Sequence, residues 1–456
     1  MAMKCFGLSF LAGIVALAVL LVGEVRDRCY GKVSVDSWLP ANYWIKDGIA
    51  AKSEGRKILI LGGSGSAFSV HSEVVEQVTG IHTVNLATHA GVPLRFYQIP
   101  VARHVREGDI VVLPLETHNH YCVSSSWLFY DFPLGLMLGV DRDFQRTLSA
   151  SELFALYLRY APAWYLRSFN GKAAENFDSD SLLKAWTAAK AEPEDCQKGY
   201  DLKYLNERGD RLVPFGRIKD FDDLVSTTEV TDEFIESFNK LRALVNGRGA
   251  HLILTFPNQK SYADNVQLEV LLEKLRARGV SIRGNAASVC FPRRYYYDMC
   301  LHMNMWGAYL YSFELGRTIC KELGLPYQSD LRGNTVSFED HPEVVSCENG
   351  FSRYRWGIRL KGDRFSIALK RPHNVEGKRW HVNLLFDRSG AGGQVVAAVS
   401  LGGRPLPFRE SVHRAKNMLD LELPDDVDSA TVDVAMKDGV CPGLERTFSD
   451  WDDYCR

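Results

Sequence analysis

The stretch KILILGGSGS at 57–66 decides the fold. Its leucine and isoleucine run ends in glycines, which is typical of a buried strand that enters a tight turn, and the serines follow where a helix would begin. The segments HTVNLAT (82–88), DIVVLPLE (109–116) and HLILTFP (251–257) repeat the strand signature. Because segments with a helical pattern separate these strands, the sequence predicts an α/β domain whose parallel sheet is flanked by helices.

Helical patterns lie between and after these strands. Apolar residues at helical spacing predict helices over 68–78, 231–245 and 266–279, and Gly279 is a candidate cap for the last of them. From 121 to about 230 the sequence is instead rich in aromatic residues with a helical pattern, and a charged stretch follows. We interpret it as a helical insertion in a main domain that covers 50–335.

A second domain follows a boundary at 330–350, where glycine, proline and charged residues replace the alternation. Beyond it, short strand-like runs recur with turn residues between them, as in WHVNLLFD and SATVDVAMKD. This spacing predicts an antiparallel β-sandwich over 345–456.

The first 30 residues form a separate segment. Cys5 to Val25 is an almost uninterrupted apolar run, long enough to cross a bilayer. Because no clean Ala-x-Ala site follows it, we favour an uncleaved anchor over a cleaved signal peptide. No later stretch approaches that length. We therefore expect the rest of the chain to be exported and tethered to the membrane by its amino terminus.

Composition excludes several classes of protein and one kind of site. Apolar residues make up 46% and charged residues 24%, which are globular values and argue against a disordered or collagen-like chain. The formal net charge of -2 provides no general attraction to nucleic acid. The ten cysteines contain no CxxC pair, so no metal-thiolate site is expected.

The glycine-rich turn is the first candidate site. It would place Ser64 at the carboxyl edge of the sheet, next to backbone N–H groups that can face an oxyanion. A phosphate-binding turn is the competing interpretation, but the GxGxxG and GxxxxGK[ST] spacings are absent. Ser66, two residues further on, is a rival nucleophile because the glycines alone do not determine the register of the turn.

A second cluster, YYYDMCLHMNMWG at 295–307, follows the last predicted strand of the sheet. It carries Asp298 and His302. A serine hydroxyl becomes a good nucleophile when an imidazole takes its proton and a carboxylate orients that imidazole. The sequence therefore predicts a catalytic group of Ser64, His302 and Asp298, although an Asp/His pair can also be a simple surface hydrogen bond.

These two blocks resemble the SGNH (GDSL-like) serine acyl-hydrolase superfamily. The GGS turn is similar to its first block, with Gly63 in place of the usual aspartate, and DMCLHMNxxG is similar to the closing block of polysaccharide O-acetyltransferase-like members, such as those of alginate acetylation. The resemblance implies Gly91 of NLATHAG as an oxyanion N–H donor and Asn119 of LETHNHY as a side-chain donor. It implies no cofactor.

Other patterns have competing interpretations. His118 and His120 form an H-x-H pair that could bind a metal, but no further ligand follows at metal-site spacing, so no metal is expected. We interpret Glu116 as a strand-end carboxylate that either lines the site or is simply satisfied.

The C-terminal domain carries a basic segment at 353–379 with tryptophans near its ends. Such a surface suits an anionic sugar chain. The candidate substrate-binding residues are Arg355, Trp356, Arg359 and Lys361. A plain sheet with cationic residues on its wet face is the alternative.

Together these features predict a periplasmic enzyme, anchored to the inner membrane, that transfers an acyl group, foremost acetyl, to or from an exported cell-envelope polysaccharide. The resemblance further implies a membrane-embedded acyl-transfer partner. Two alternatives remain: a lipase or thioesterase of the same fold, and a non-catalytic glycan-binding scaffold.

Overall fold

The structure is a computed structural model of the chain. It describes residues 12–17, 19–20, 38–89, 91–118, 120–122, 141–157, 205–211, 226–259, 266–291, 296–297, 299–303, 305–326, 335–347, 350–361, 364–370, 380–387, 396–413, 416–423, 429–436 and 444–446.

Four parallel strands form the central sheet, in the order β2-β1-β3-β4. They are β1 (Lys57–Ile60), β2 (His82–Asn85), β3 (Ile110–Pro114) and β4 (His251–Thr255). All residues of β1 and β3 are buried. Burial on both faces explains why these strands are continuous apolar runs without alternation. The predicted α/β class with a parallel sheet is confirmed.

Helices flank this sheet. They are α1 (Trp38–Lys52), α2 (Ser64–Ser69), α3 (Ser72–Thr79), α4 (Gln98–His104), α5 (Asp232–Gly247), α6 (Val266–Ala277) and α7 (Met305–Leu323). Helix α7 packs against α2 and α3, whereas α4 packs against α1 and α5. Three short 3₁₀ helices, Leu94–Tyr97, Arg142–Thr147 and Ala286–Val289, complete the connections that the structure describes.

The helix predicted over 68–78 is in fact two helices, α2 and α3, because tertiary partners bind the backbone between them. The N–H of His71 donates to Ser312 Oγ at 2.7 Å. The N–H and hydroxyl of Ser72 donate to the buried carboxylate of Asp210 at 2.8 and 2.7 Å. The prediction for 266–279 is confirmed: α6 ends at Ala277, and Gly279 follows with a positive φ of 71°.

The C-terminal part is antiparallel. A six-stranded sheet has the order β10-β9-β13-β7-β6-β5, and a four-stranded sheet has the order β11-β12-β8-β14. The strands are β5 (Thr335–Cys347), β6 (Gly350–Lys361), β7 (Arg364–Lys370), β8 (Trp380–Asp387), β9 (Val396–Leu401), β10 (Arg404–Pro405), β11 (Phe408–His413), β12 (Lys416–Leu423), β13 (Ser429–Met436) and β14 (Leu444–Arg446). The predicted antiparallel strands are confirmed. The first of them, β5, already covers much of the segment where the composition had suggested a boundary.

Two predicted segments fall mostly outside the described residues. Of the apolar run at 5–25, residues 12–17 and 19–20 are helical. None of the helices within the described ranges has the length and apolarity needed to cross a bilayer. Of the predicted insertion at 121–230, most residues also lie outside the described ranges.

Candidate active site

Ser64 lies at the first residue of α2, directly after the turn that leaves β1. The hydrogen bonding of the sheet continues into this turn. The N–H of Leu61 donates to the carbonyl of Val112 at 2.9 Å, and the N–H of Thr88 donates to the carbonyl of Gly62 at 3.1 Å. Ser64 is only 8% exposed. The turn therefore places this serine at the predicted carboxyl edge of the sheet, in a nearly enclosed position.

Ser66 occupies a different environment. Its hydroxyl donates to the carbonyl of Pro114 at 3.0 Å, and the residue is 1% exposed. A methyl group on Gly62 would lie 2.6 Å from Ser66 Oγ, so this hydroxyl packs directly beneath the turn. The hydroxyl of Ser66 is thus bonded and more deeply buried than Ser64, which leaves Ser64 as the better candidate of the two.

His302 is placed on the same helix face as Ser64. Its ring stacks on Phe68, with centroids 4.1 Å apart and an interplanar angle of 8°. Ser64 and Phe68 are four residues apart on α2, and this spacing puts two side chains on one face of a helix. His302 is 3% exposed. The structure therefore packs His302 against the helix that begins with Ser64, although the two residues are far apart in the sequence.

The loop that carries His302 is held on both sides of the histidine. The carbonyl of Leu301 accepts hydrogen bonds from Ser69 Oγ and from Asn258 Nδ2, each at 2.9 Å. The N–H of Met303 donates to the same Ser69 hydroxyl at 3.3 Å. Since Ser69 ends α2 and Asn258 follows β4, these bonds tie the histidine to the helix that begins with Ser64 and to the sheet edge.

Glu116 is a member of the site that the sequence left ambiguous. Its Oε1 accepts a hydrogen bond from the N–H of Gly65 at 2.8 Å, and the residue is 1% exposed. Burial raises the pKa of this carboxyl to about 7, although the Gly65 hydrogen bond opposes the shift. Its Oε2 lies 3.7 Å from His118 Nε2. Glu116 is therefore a site carboxyl that can gain or lose a proton near neutral pH.

Three histidines lie near this carboxyl or near the serine turn. His120 Nδ1 accepts a hydrogen bond from the N–H of Glu116 at 3.1 Å. Burial, with smaller contributions from neighbouring imidazoles, lowers the pKa of His120 to about 3, and burial lowers that of His118 to about 4. Burial and the nearby His302 also lower the pKa of His89. His89, which the sequence analysis did not single out, has only its position after β2 as a signal.

The predicted oxyanion donor Gly91 is engaged within its own loop. Its N–H donates to His89 Nδ1 at 2.9 Å. A direct role in binding an oxyanion would require this bond to open. Asn119 and Asp298, the other predicted members of the site, lie outside the described residues.

The remaining predicted residues are on the C-terminal sheet. Arg355, Trp356, Arg359 and Lys361 lie in β6, where their backbone partners in β5 are Pro342, His341, Ser337 and Thr335. Among the described residues, no cluster of three or more histidine, cysteine, aspartate or glutamate side chains could hold a metal ion.

A buried arginine was also missed by sequence reasoning. The guanidinium of Arg211 lies over the ring of Phe68, 5.1 Å from its centroid, and the residue is 2% exposed. Phe68 thus contacts both Arg211 and His302. Arg211 comes from the predicted insertion, and no local pattern there indicated a role in the site.

No protein-family model matches this chain, and no curated protein sequence is similar to it.

Proposed function

We propose that the protein is a serine-dependent O-acyltransferase or esterase, with Ser64 as nucleophile and His302 as general base. The observation that carries the proposal is the stacking of His302 on Phe68, which puts the imidazole on the α2 face that begins with Ser64. An imidazole packed against the helix that begins with a nearly enclosed serine suits acyl transfer through a serine ester, in which an imidazole takes the serine proton.

The proposed reaction has two steps. Ser64 Oγ forms a bond to the acyl carbonyl carbon while His302 takes the hydroxyl proton, and His302 then gives that proton to the departing alkoxide as its bond to the carbonyl breaks. In the second step an acceptor hydroxyl, from water or from a sugar, loses its proton to His302 and attacks the acyl-Ser64 ester. The proton returns to Ser64 when the acyl group leaves. Asp298 would orient His302.

The finer assignment rests on the resemblance described above. It includes an SGNH-like main domain, a C-terminal β-sandwich, acetyl as the acyl group and an exported cell-envelope polysaccharide as the partner. The positions of Arg355, Arg359 and Lys361 in one strand support a cationic surface for that polysaccharide. A periplasmic location with an amino-terminal anchor, and a membrane-embedded acyl-transfer partner, belong to the same proposal.

One observation favours a second candidate, a non-catalytic scaffold. The N–H of Gly91 is already bonded to His89, so the oxyanion donor implied by the resemblance is not available in this conformation. A scaffold that keeps the fold would bind glycan without forming an acyl-enzyme.

Labelling with a fluorophosphonate decides between the two candidates. The full-length protein in detergent would be treated with the reagent, digested, and the adduct mapped by mass spectrometry. We expect one adduct on Ser64 and turnover of a small chromogenic acetate, both abolished by Ser64→Ala. The matched control Ser66→Ala removes a buried hydroxyl two residues away and should keep both activities. An adduct on Ser66 would make Ser64 the wrong nucleophile, and no serine adduct would favour the scaffold.

A further inference from the structure

We propose that the acyl oxyanion formed at Ser64 is bound by two neutral imidazoles, through the Nε2–H groups of His120 and His89. This inference rests on the proposed function and adds two catalytic residues to it. The resemblance to known hydrolases implied Gly91 and Asn119 instead. The reasons lie in the position, the tautomer and the surroundings of each histidine.

Both histidines lie in loops that touch the serine turn. The strand order places β1 between β2 and β3, so the loops after β2 and β3 flank the turn that follows β1. On one side, Thr88, next to His89, donates its N–H to Gly62 at 3.1 Å. On the other side, Glu116 accepts from the N–H of Gly65 at 2.8 Å. The loop of His120 folds back onto this glutamate, because the N–H of His120 donates to the Glu116 carbonyl at 3.2 Å.

A backbone amide determines the tautomer of each ring. Glu116 donates its N–H to His120 Nδ1 at 3.1 Å, and Gly91 donates its N–H to His89 Nδ1 at 2.9 Å. A backbone N–H can only donate, so both Nδ1 atoms present a lone pair. The hydrogen of each neutral ring must then be on Nε2. Gly91 would thus act on the oxyanion through His89 and not directly.

Burial keeps both rings neutral at physiological pH, because it lowers the pKa of His120 to about 3 and shifts the pKa of His89 downward. A neutral imidazole can donate a hydrogen bond to developing negative charge without placing a permanent charge in the buried site. His302 is also close enough to His89 to disfavour a charge on the His89 ring. This places His89 near the proposed general base.

The Nε2 atom of His120 lacks a hydrogen-bond acceptor. It is buried and has no hydrogen-bond partner among the described residues, and His120 as a whole is 3% exposed. Buried N–H donors without a partner are rare because they lose their hydration without compensation. A substrate carbonyl oxygen would supply the acceptor.

Two nearby backbone donors are already in use. The N–H of Gly65 is bonded to Glu116, and the N–H of Gly91 is bonded to His89. Side-chain donors would replace these two N–H groups at an oxyanion on Ser64, and the two loops that flank the turn provide the imidazoles of His89 and His120.

Substitution at each histidine tests the inference in the full-length protein. We expect His120→Leu and His89→Leu each to lower kcat for a small acetate ester by roughly 10²- to 10³-fold, with little change in KM, since removal of one oxyanion donor has effects of this size. Glutamine carries an amide N–H near the position of Nε2, so His120→Gln and His89→Gln should recover part of the rate. His251→Gln, at an exposed position in β4, is the matched control and should behave as wild type.

A second measurement does not depend on how the variants fold. In ¹⁵N-histidine NMR of the wild-type protein, we expect both rings in the neutral Nε2–H tautomer, with both Nε2–H protons shifting downfield when Ser64 carries a phosphonate adduct. A wild-type protein that reacts at Ser64 and leucine variants that keep full kcat would overturn this inference alone, as would Nδ1–H tautomers. A wild-type Ser64 that never reacts would overturn the proposed function and this inference with it.

Discussion

The imidazole of His302 lies face to face with the phenyl ring of Phe68, with ring centroids 4.1 Å apart and planes inclined by 8°. This contact joins the helix after the first strand of the sheet to the loop before α7. It orients the proposed general base relative to Ser64, which is one helical turn from Phe68. Aromatic rings prefer defined mutual geometries, so this contact favours one orientation of the imidazole.

Phe68→Leu should therefore lower kcat in addition to its effect on stability. Aromatic pairs contribute about 0.5–1.5 kcal/mol beyond their buried area, so loss of the contact should lower kcat by up to about tenfold. Esterase kinetics and a melting curve would measure the two effects. Phe234→Leu removes a ring of similar burial from the main core and should lower the melting temperature with kcat unchanged. Equal losses of kcat in both variants would contradict a positioning role for Phe68.

Gly62→Ala should destabilise the serine turn. Its new methyl group would lie 2.6 Å from Ser66 Oγ and 3.3 Å from the carbonyl of Pro114, and the nearest contact is shorter than real Cβ contacts allow. Overpacking of this kind costs about 1–3 kcal/mol in the free energy of unfolding. Gly48→Ala, in the interior of α1 with nothing within 4 Å of the new methyl group, should instead raise stability by about 0.5–1 kcal/mol. Chemical denaturation would measure the stability of both variants. A Gly62→Ala variant as stable as wild type would show that the turn can relax.

Glu116 should make stability depend on pH between its unfolded and folded pKa values. Burial raises the pKa of its carboxyl from 4.5 to about 7, so in this window the folded state binds more protons than the unfolded state. The contribution of Glu116 to stability is therefore fully present below pH 4.5 and falls as the pH rises to 7. A shift of this size corresponds to about 3 kcal/mol.

Glu116→Gln should remove that dependence, because the amide keeps an acceptor for Gly65 but does not ionise. Urea denaturation of both proteins at several pH values would show the variant gaining stability relative to wild type as the pH rises from 4.5 to 7. A stability difference that stays constant across this range would mean that the carboxyl titrates normally.

The cationic positions of β6 should control binding of an anionic glycan. Reversal of Arg355, Arg359 and Lys361 to glutamate is expected to abolish binding, and binding by wild type should weaken with salt because exposed charges are screened over about 10 Å at 0.1 M ionic strength. Glycan retention measured over a salt series would check this. Binding that does not change with salt concentration would instead support a plain sheet without a glycan site.

The same reversal should change the fate of the acyl-enzyme. A bound sugar hydroxyl competes with water only when the protein orients it, and orientation can give an effective concentration of roughly 10⁵ M or more. Wild type should therefore move acetyl from a model ester to an added envelope oligosaccharide, whereas the reversed variant should mainly hydrolyse the ester. Mass spectrometry of the oligosaccharide would measure transfer. Efficient hydrolysis without capture by any acceptor would make the protein an esterase.

Local pattern was sufficient for the strands of the parallel sheet. The four residues of β1 are all buried, and a strand buried on both faces must be a continuous apolar run, which is visible in the sequence alone. The glycines that follow it predicted the turn before Ser64. His302 could also be nominated from the sequence, since it lies four residues after Asp298 and beyond the last strand of the sheet.

Tertiary structure decided what these residues contact. Ser64 and Ser66 are equivalent in the local pattern. Tertiary contacts distinguish them, because the Ser66 hydroxyl is bonded to the carbonyl of Pro114 on another strand and is the more deeply buried of the two. In the same way, the sequence left open whether the N–H of Gly91 faces a substrate, whereas in the folded loop this N–H donates to His89 Nδ1. Hydrophobic periodicity is a property of one segment, whereas a hydrogen bond between loops depends on which strand ends the sheet places side by side. The sequence by itself therefore determined the strands and the turn that carries Ser64, and the assembled sheet decided which donors and acceptors meet there.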